Sequence, residues 1–99
     1  MENYKKIADM TIKRPSAETF QKEIKDEIGI KYLLNCITFK SDFNDVDIEY
    51  EMIALTIEGD MLTINIIPYH KTIDELEKMC DNLWQKNNFA YLSKIRKEA

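Results

Sequence analysis

Glycine and proline are scarce in this chain, two of each in 99 residues. With so few glycines there is neither a GxGxxG nor a GxxxxGK[ST] segment, which excludes nucleotide binding through a glycine-rich phosphate loop. Cysteine is equally rare. Cys36 and Cys80 are too few for a disulfide framework and too far apart for a CxxC redox or zinc unit. Both read as reduced, buried thiols, because free cysteine behaves as a small hydrophobe. The single histidine, His70, lies in the run Pro68-Tyr69-His70-Lys71, with no serine elbow and no adjoining cysteine. A catalytic pair has nothing to build on there, and His70 reads as a solvated or capping side chain. No catalytic residue, metal set or cofactor is expected.

Long apolar runs are missing too. None exceeds four residues, as at 52–55, against the ~20 residues that span a bilayer. No basic stretch followed by an apolar run of about 7–15 residues opens the chain, so a secretory signal is not expected and a cytoplasmic home is. What the chain does have is 44 % hydrophobic and 32 % charged residues, enough apolar content for a packed core. Its length suits one domain over residues 1–99, since domains typically hold about 100–150 residues. Residues 1–14 mix helical and extended spacing and read as a short helix or an arm.

Hydrophobic spacing gives the predicted elements. Ser16 caps a helix over 17–28, in which Phe20, Ile24 and Ile28 recur every four residues and Gly29 closes the last turn. Residues 32–39 are rich in strand formers and predict a strand with both faces partly covered. Turn chemistry follows at 41–45, and then Val46, Ile48, Tyr50 and Met52 alternate with Asp47, Glu49 and Glu51, the period of a half-buried strand.

Past Met52 the apolar phase shifts to Ile53, Leu55 and Ile57. A Gly59-Asp60 turn with a β-bulge near residues 51–53 returns these to the core face and is the preferred reading. A three-residue loop over 58–60 needs no bulge and puts them on the outer face instead. Pro68 ends the third strand. Thr72-Ile73-Asp74-Glu75 is a capping box, opening a helix that buries Leu76, Cys80, Leu83 and Trp84. Asn87-Asn88 breaks it, and Phe89, Leu92 and Ile95 predict a second helix to the C-terminus. The expected fold class is α+β: a three-stranded antiparallel β-meander with helices packed on one face, order (α)-α-β-β-β-α-α.

Charge is unevenly spread. Residues 42–81 carry a net −9, against +2 before them and +3 after, for −4 overall. An acidic middle repels nucleic acid and attracts a basic protein surface. The α-β-β-β-α order invites comparison with double-stranded RNA-binding domains, but the helix opening Thr72-Ile73-Asp74-Glu75 puts carboxylates where that family presents lysines. Direct nucleic-acid binding is therefore not expected, although Lys5, Lys6, Lys13, Arg14, Lys94, Arg96 and Lys97 cluster near the termini.

The candidate partner-binding residues are Asp45, Asp47, Glu49 and Glu51, a row of carboxylates recurring every ~6.8 Å along one strand face. Asp42, Glu58 and Asp60 extend it at the two ends of the hairpin. Phosphates along a nucleic-acid strand repeat on a comparable scale. The expected function is a non-enzymatic protein-binding module, an inhibitor of the anti-restriction or anti-CRISPR type. Such phage or mobile-element proteins occupy the nucleic-acid-binding surface of a nuclease or defence complex. An immunity protein of a basic nuclease toxin would use the same surface, and a self-associating structural module would use a strand edge or the 89–95 segment. Plain solvation of a half-exposed strand produces the same alternation.

Overall fold

The computed structural model describes residues 3–7, 17–40, 46–67 and 71–95, with backbone alone described at 39, 40, 46 and 47. Its elements in chain order are β1 (Lys5–Ile7), β2 (Glu18–Lys25), β3 (Gly29–Lys40), β4 (Val46–Leu55), β5 (Met61–Ile66), α1 (Ile73–Lys86) and β6 (Ser93–Lys94). Strands β1 to β5 form an antiparallel meander in chain order, and β6 pairs with the start of β3. The expected three-stranded meander with several helices is thus corrected to a sheet of six strands with one helix among the described residues.

The expected helix over 17–28 is strand β2. A spacing of four satisfies a helical face and, being even, one face of a strand equally well. In the strand, Phe20 and Ile24 flank Lys22 on the side facing α1. A lysine there argues against a core-facing strand, yet its stem lies along the core while its ammonium reaches Glu77 at 2.7 Å. Of the expected arm over 1–14, residues 5–7 are a strand preceded by Asn3 and Tyr4; residues 1–2 and 8–14 lie outside the described residues.

From Glu18 to Ile24 of β2 and along the whole β3–β4 and β4–β5 ladders even residues stand opposite even ones, so one face of that sheet is even; the Lys25–Ile30 pair and the β3–β6 pairs change the parity. That face holds the core: Tyr32, Leu34 and Cys36 of β3, Tyr50, Met52 and Ala54 of β4, and Ile66 of β5, closed by Leu76 and Cys80 of α1. The helix begins as its sequence implies, with the Thr72 hydroxyl accepting from the Glu75 N–H at 3.2 Å. It ends at Lys86, and Asn88 adopts a left-handed φ of 57°, which asparagine tolerates.

No bulge occurs in β4, so Ile53 and Leu55 stay on the odd, outer face, half-buried. The turn is neither of those expected. Thr56 N–H donates to the Asp60 carbonyl at 2.9 Å and Gly59 N–H to the Thr56 carbonyl at 3.0 Å, leaving 57–59 as the loop. Gly59 takes φ +96° there, the left-handed position such a three-residue hairpin requires. The register break lies elsewhere: Ile24 pairs with Tyr32 and Lys25 with Ile30, so Lys31 is the extra residue.

The expected helix over 89–95 is an extended segment. It is fixed by Ala90 N–H to Leu55 O (2.7 Å), Leu92 N–H to Ile30 O (2.8 Å) and Ile95 N–H to Ile28 O (2.8 Å). With the Gly29–Lys94 and Ile30–Ser93 pairs they cover the start of β3, which β4 pairs only from Leu33 onward, so tertiary hydrogen bonding outweighs the helical spacing. Gly29, expected to close a helix, instead opens β3 against the Ser93 carbonyl.

Candidate interaction surface

The face of β4 turned away from α1 carries the predicted carboxylates. Glu49 lies opposite Ile37 of β3, and Glu51 lies between Asn35 of β3 and Asn65 of β5. Asp47, opposite Phe39, holds the same phase. Glu58 and Asp60 are exposed in the β4–β5 loop, separated from Glu51 by Ile53 and Leu55. Asp42 and Asp45 lie outside the described residues. The structure therefore joins Glu49 and Glu51, about 6.8 Å apart along the strand, and sets the loop acids apart from them.

The surroundings of this pair are mixed. Gln21 donates to Asn35 at 2.9 Å, a cross-strand amide bond on the same face as Glu51. Beyond it, Leu33 pairs with Ile53, and Leu55 with Met61. Ile57 and Met61 are 71 % and 57 % exposed. The sequence held the signal for this apolar half in the phase of Ile53, Leu55 and Ile57, and preferring a bulge concealed it.

The helix side holds a second polar group of residues. Glu77 accepts from Lys22 (2.7 Å) and from the Tyr4 hydroxyl (3.2 Å), and Asp81, one turn on, accepts from Lys31 (2.9 Å) and the Tyr32 hydroxyl (2.9 Å). Lys31 reaches Asp81 because the bulge turns it toward α1, and its ammonium sits 4.8 Å from the Trp84 ring centroid. Lys22, Tyr32, Glu77 and Asp81 line a cleft of about 520 Å³ beside β2. Sequence spacing gave no hint of this group, because its members come from β2, β3, α1 and Tyr4, with α1 more than forty residues away from the others in the chain.

These groups pair with one another. Burial, and then the carboxylates of α1, push Tyr4 and Tyr32 far above the ordinary phenol range. Cys36 and Cys80 are free and buried as expected. Burial raises the Cys36 thiol, and burial with Asp81 and Glu77 nearby pushes Cys80 up to about 12, so both are thiols at neutral pH. No group of three metal-ligating side chains occurs among the described residues, and His70 lies outside them.

The Lys31–Asp81 pair supplies a stability prediction. Lys31 is 11 % exposed and Asp81 43 %, so removing the carboxylate strands a mostly buried ammonium, while solvent at Asp81 softens the penalty. Asp81→Ala is expected to cost about 2 kcal/mol. Lys31→Met with Asp81→Leu together should recover most of it, since an apolar pair needs no partner. Urea unfolding measures both; a double variant as unstable as Asp81→Ala would refute a burial-driven pair.

Comparison with protein families, with curated proteins and with solved structures finds no match. Among the described residues, no helix is long and apolar enough to cross a membrane.

Proposed function

We propose that this chain is a non-enzymatic binding module whose outer sheet face docks a basic, nucleic-acid-binding surface of another protein and blocks it. The observation that carries this reading is the placement of Glu49 and Glu51 on the face opposite α1, in the most acidic stretch of the chain. Ile53 and Leu55 adjoin them and supply apolar area for contact, and the carboxylates select a cationic partner. The net charge of −4 favours such an encounter from a distance. A nuclease or defence complex has a surface of this kind, built to hold phosphates.

The test is displacement of a short labelled DNA duplex from purified basic nucleases. The wild-type chain should release the duplex from its target, increasingly poorly as salt rises. Glu49→Lys with Glu51→Lys should weaken that release by about tenfold or more at unchanged thermal stability, because like charges now face each other. Equal potency of the variant, or no displacement from any nuclease, overturns the proposal.

A further inference from the structure

The two ends of the meander differ in a way that bears on self-association. β1 is three residues long and carries Lys5 and Lys6, the short, charged build that keeps a sheet edge from pairing with another. β5 has no second neighbour among the described strands, runs six residues, Met61-Leu62-Thr63-Ile64-Asn65-Ile66, and contains no charge and no proline. An edge of that composition is open to a further strand.

Hydrogen-bond phase decides how a strand would add. The Thr56–Asp60 bond closes the hairpin, and pairs in an antiparallel ladder alternate, so Leu62, Ile64 and Ile66 spend their backbone groups on β4. The N–H and C=O groups of Met61, Thr63 and Asn65 point to the open edge. A second β5 related by a two-fold axis through Ile64 satisfies them: Thr63 pairs with Asn65 of the second copy, and Met61 with Ile67.

In this register every side-chain pair matches. Met61 and Ile67, 57 % and 65 % exposed, cover each other on the outer face, and Thr63 meets Asn65. On the helix side, Leu62, 40 % exposed, falls opposite Ile66 of the second copy. Ile66 lines a groove of about 290 Å³ with Ile48, Glu49, Tyr50, Asn65 and Ile67, and its apolar wall of Ile48, Tyr50 and Ile66 would receive that leucine. Both copies keep α1 on the same side of the joined sheet, because even residues face even ones.

We infer that β5 is the seam of a symmetric homodimer in which two five-stranded meanders join, through Ile64, into one continuous sheet. This does not rest on the proposed function, and a dimer without any nuclease partner would still establish it. Sedimentation velocity over two decades of concentration should show a shift from 11.7 kDa to twice that mass. Thr63→Lys with Asn65→Lys places lysine against lysine and should weaken dimerisation at least about tenfold. Thr63→Glu with Asn65→Glu should do the same, and mixing the two variants should restore a dimer containing one of each.

Both positions are exposed, and circular dichroism verifies the fold of each variant, the stricter check being on Asn65→Glu, which stands opposite Glu51. A wild-type chain monomeric at every concentration, a lysine variant that dimerises undiminished, or a mixture that stays monomeric overturns the inference. Capture of an extended peptide by monomeric wild type gives the edge to another protein and equally overturns it.

Discussion

Leu34→Ala is expected to lower the unfolding free energy by about 3 kcal/mol, and Leu33→Ala by only about 1 kcal/mol. The two leucines are adjacent in β3 but point to opposite faces. Leu34 is fully buried beneath α1, between Met52 of β4 and Lys22 of β2, whereas Leu33 is half-buried on the outer face beside Ile53. Truncating Leu34 leaves a cavity that a pleated sheet under a helix collapses poorly. Truncating Leu33 removes contact area that water already shares. A small domain typically has only about 5–15 kcal/mol in total, so the Leu34 variant should show a clearly lower urea midpoint with an unchanged slope. Equal losses at both positions would mean the outer face is as well covered as the inner one, against the phase described above.

How far the sequence discloses this arrangement depends on which periods are unambiguous. β4 was legible because Val46 to Met52 alternates without a fault and no helical period fits it. α1 was legible because Thr72 and Glu75 mark its start, and Leu76 and Cys80 fix its face. β2 was not, since Phe20 and Ile24 are compatible with both periods and the deciding residue, Lys22, is paired with Glu77 from a helix more than fifty residues away in the chain. The extended 89–95 segment escaped for a similar reason: its bonds go to Leu55, Ile28 and Ile30, and no local pattern announces an uncovered length of β3. For the carboxylates, alternation alone placed Glu49 and Glu51 on one face; it did not show that Ile53 and Leu55 separate them from Glu58 and Asp60.

Gly29→Ala is expected to release the C-terminal segment from β3. A Cβ at Gly29 would sit 2.0 Å from the Ser93 carbonyl oxygen and 2.8 Å from the Lys94 Cα, both backbone atoms that no side-chain rotation moves aside. The chain escapes the clash by undocking β6, but the φ of +156° stays unfavourable for alanine, so the lost docking and the backbone strain together should cost about 2 kcal/mol or more. Gly59→Ala is the control. Its φ of +96° is also unfavourable for alanine, yet nothing lies within 4 Å of the added carbon, so about 1 kcal/mol of backbone strain is all it should lose.

Two signals separate undocking from general destabilisation. The amides of Leu92 and Ile95, bonded to Ile30 and Ile28, should lose hydrogen-exchange protection while those of β3 and β4 keep theirs. Asp26 supplies the other. The Tyr91 hydroxyl donates to it at 2.7 Å, and that bond, with the Ile28 and Gly29 N–H groups, holds its carboxyl below the ordinary value of 3.8. Docking is therefore strengthened by an ionised Asp26 above that value and loses this contribution as the pH falls through the lowered one. In Gly29→Ala the Tyr91 bond is gone, and the Asp26 titration should move back up toward 3.8. An unmoved Asp26 titration together with full protection at Leu92 would show that alanine fits and that the close approach of Ser93 does not require glycine.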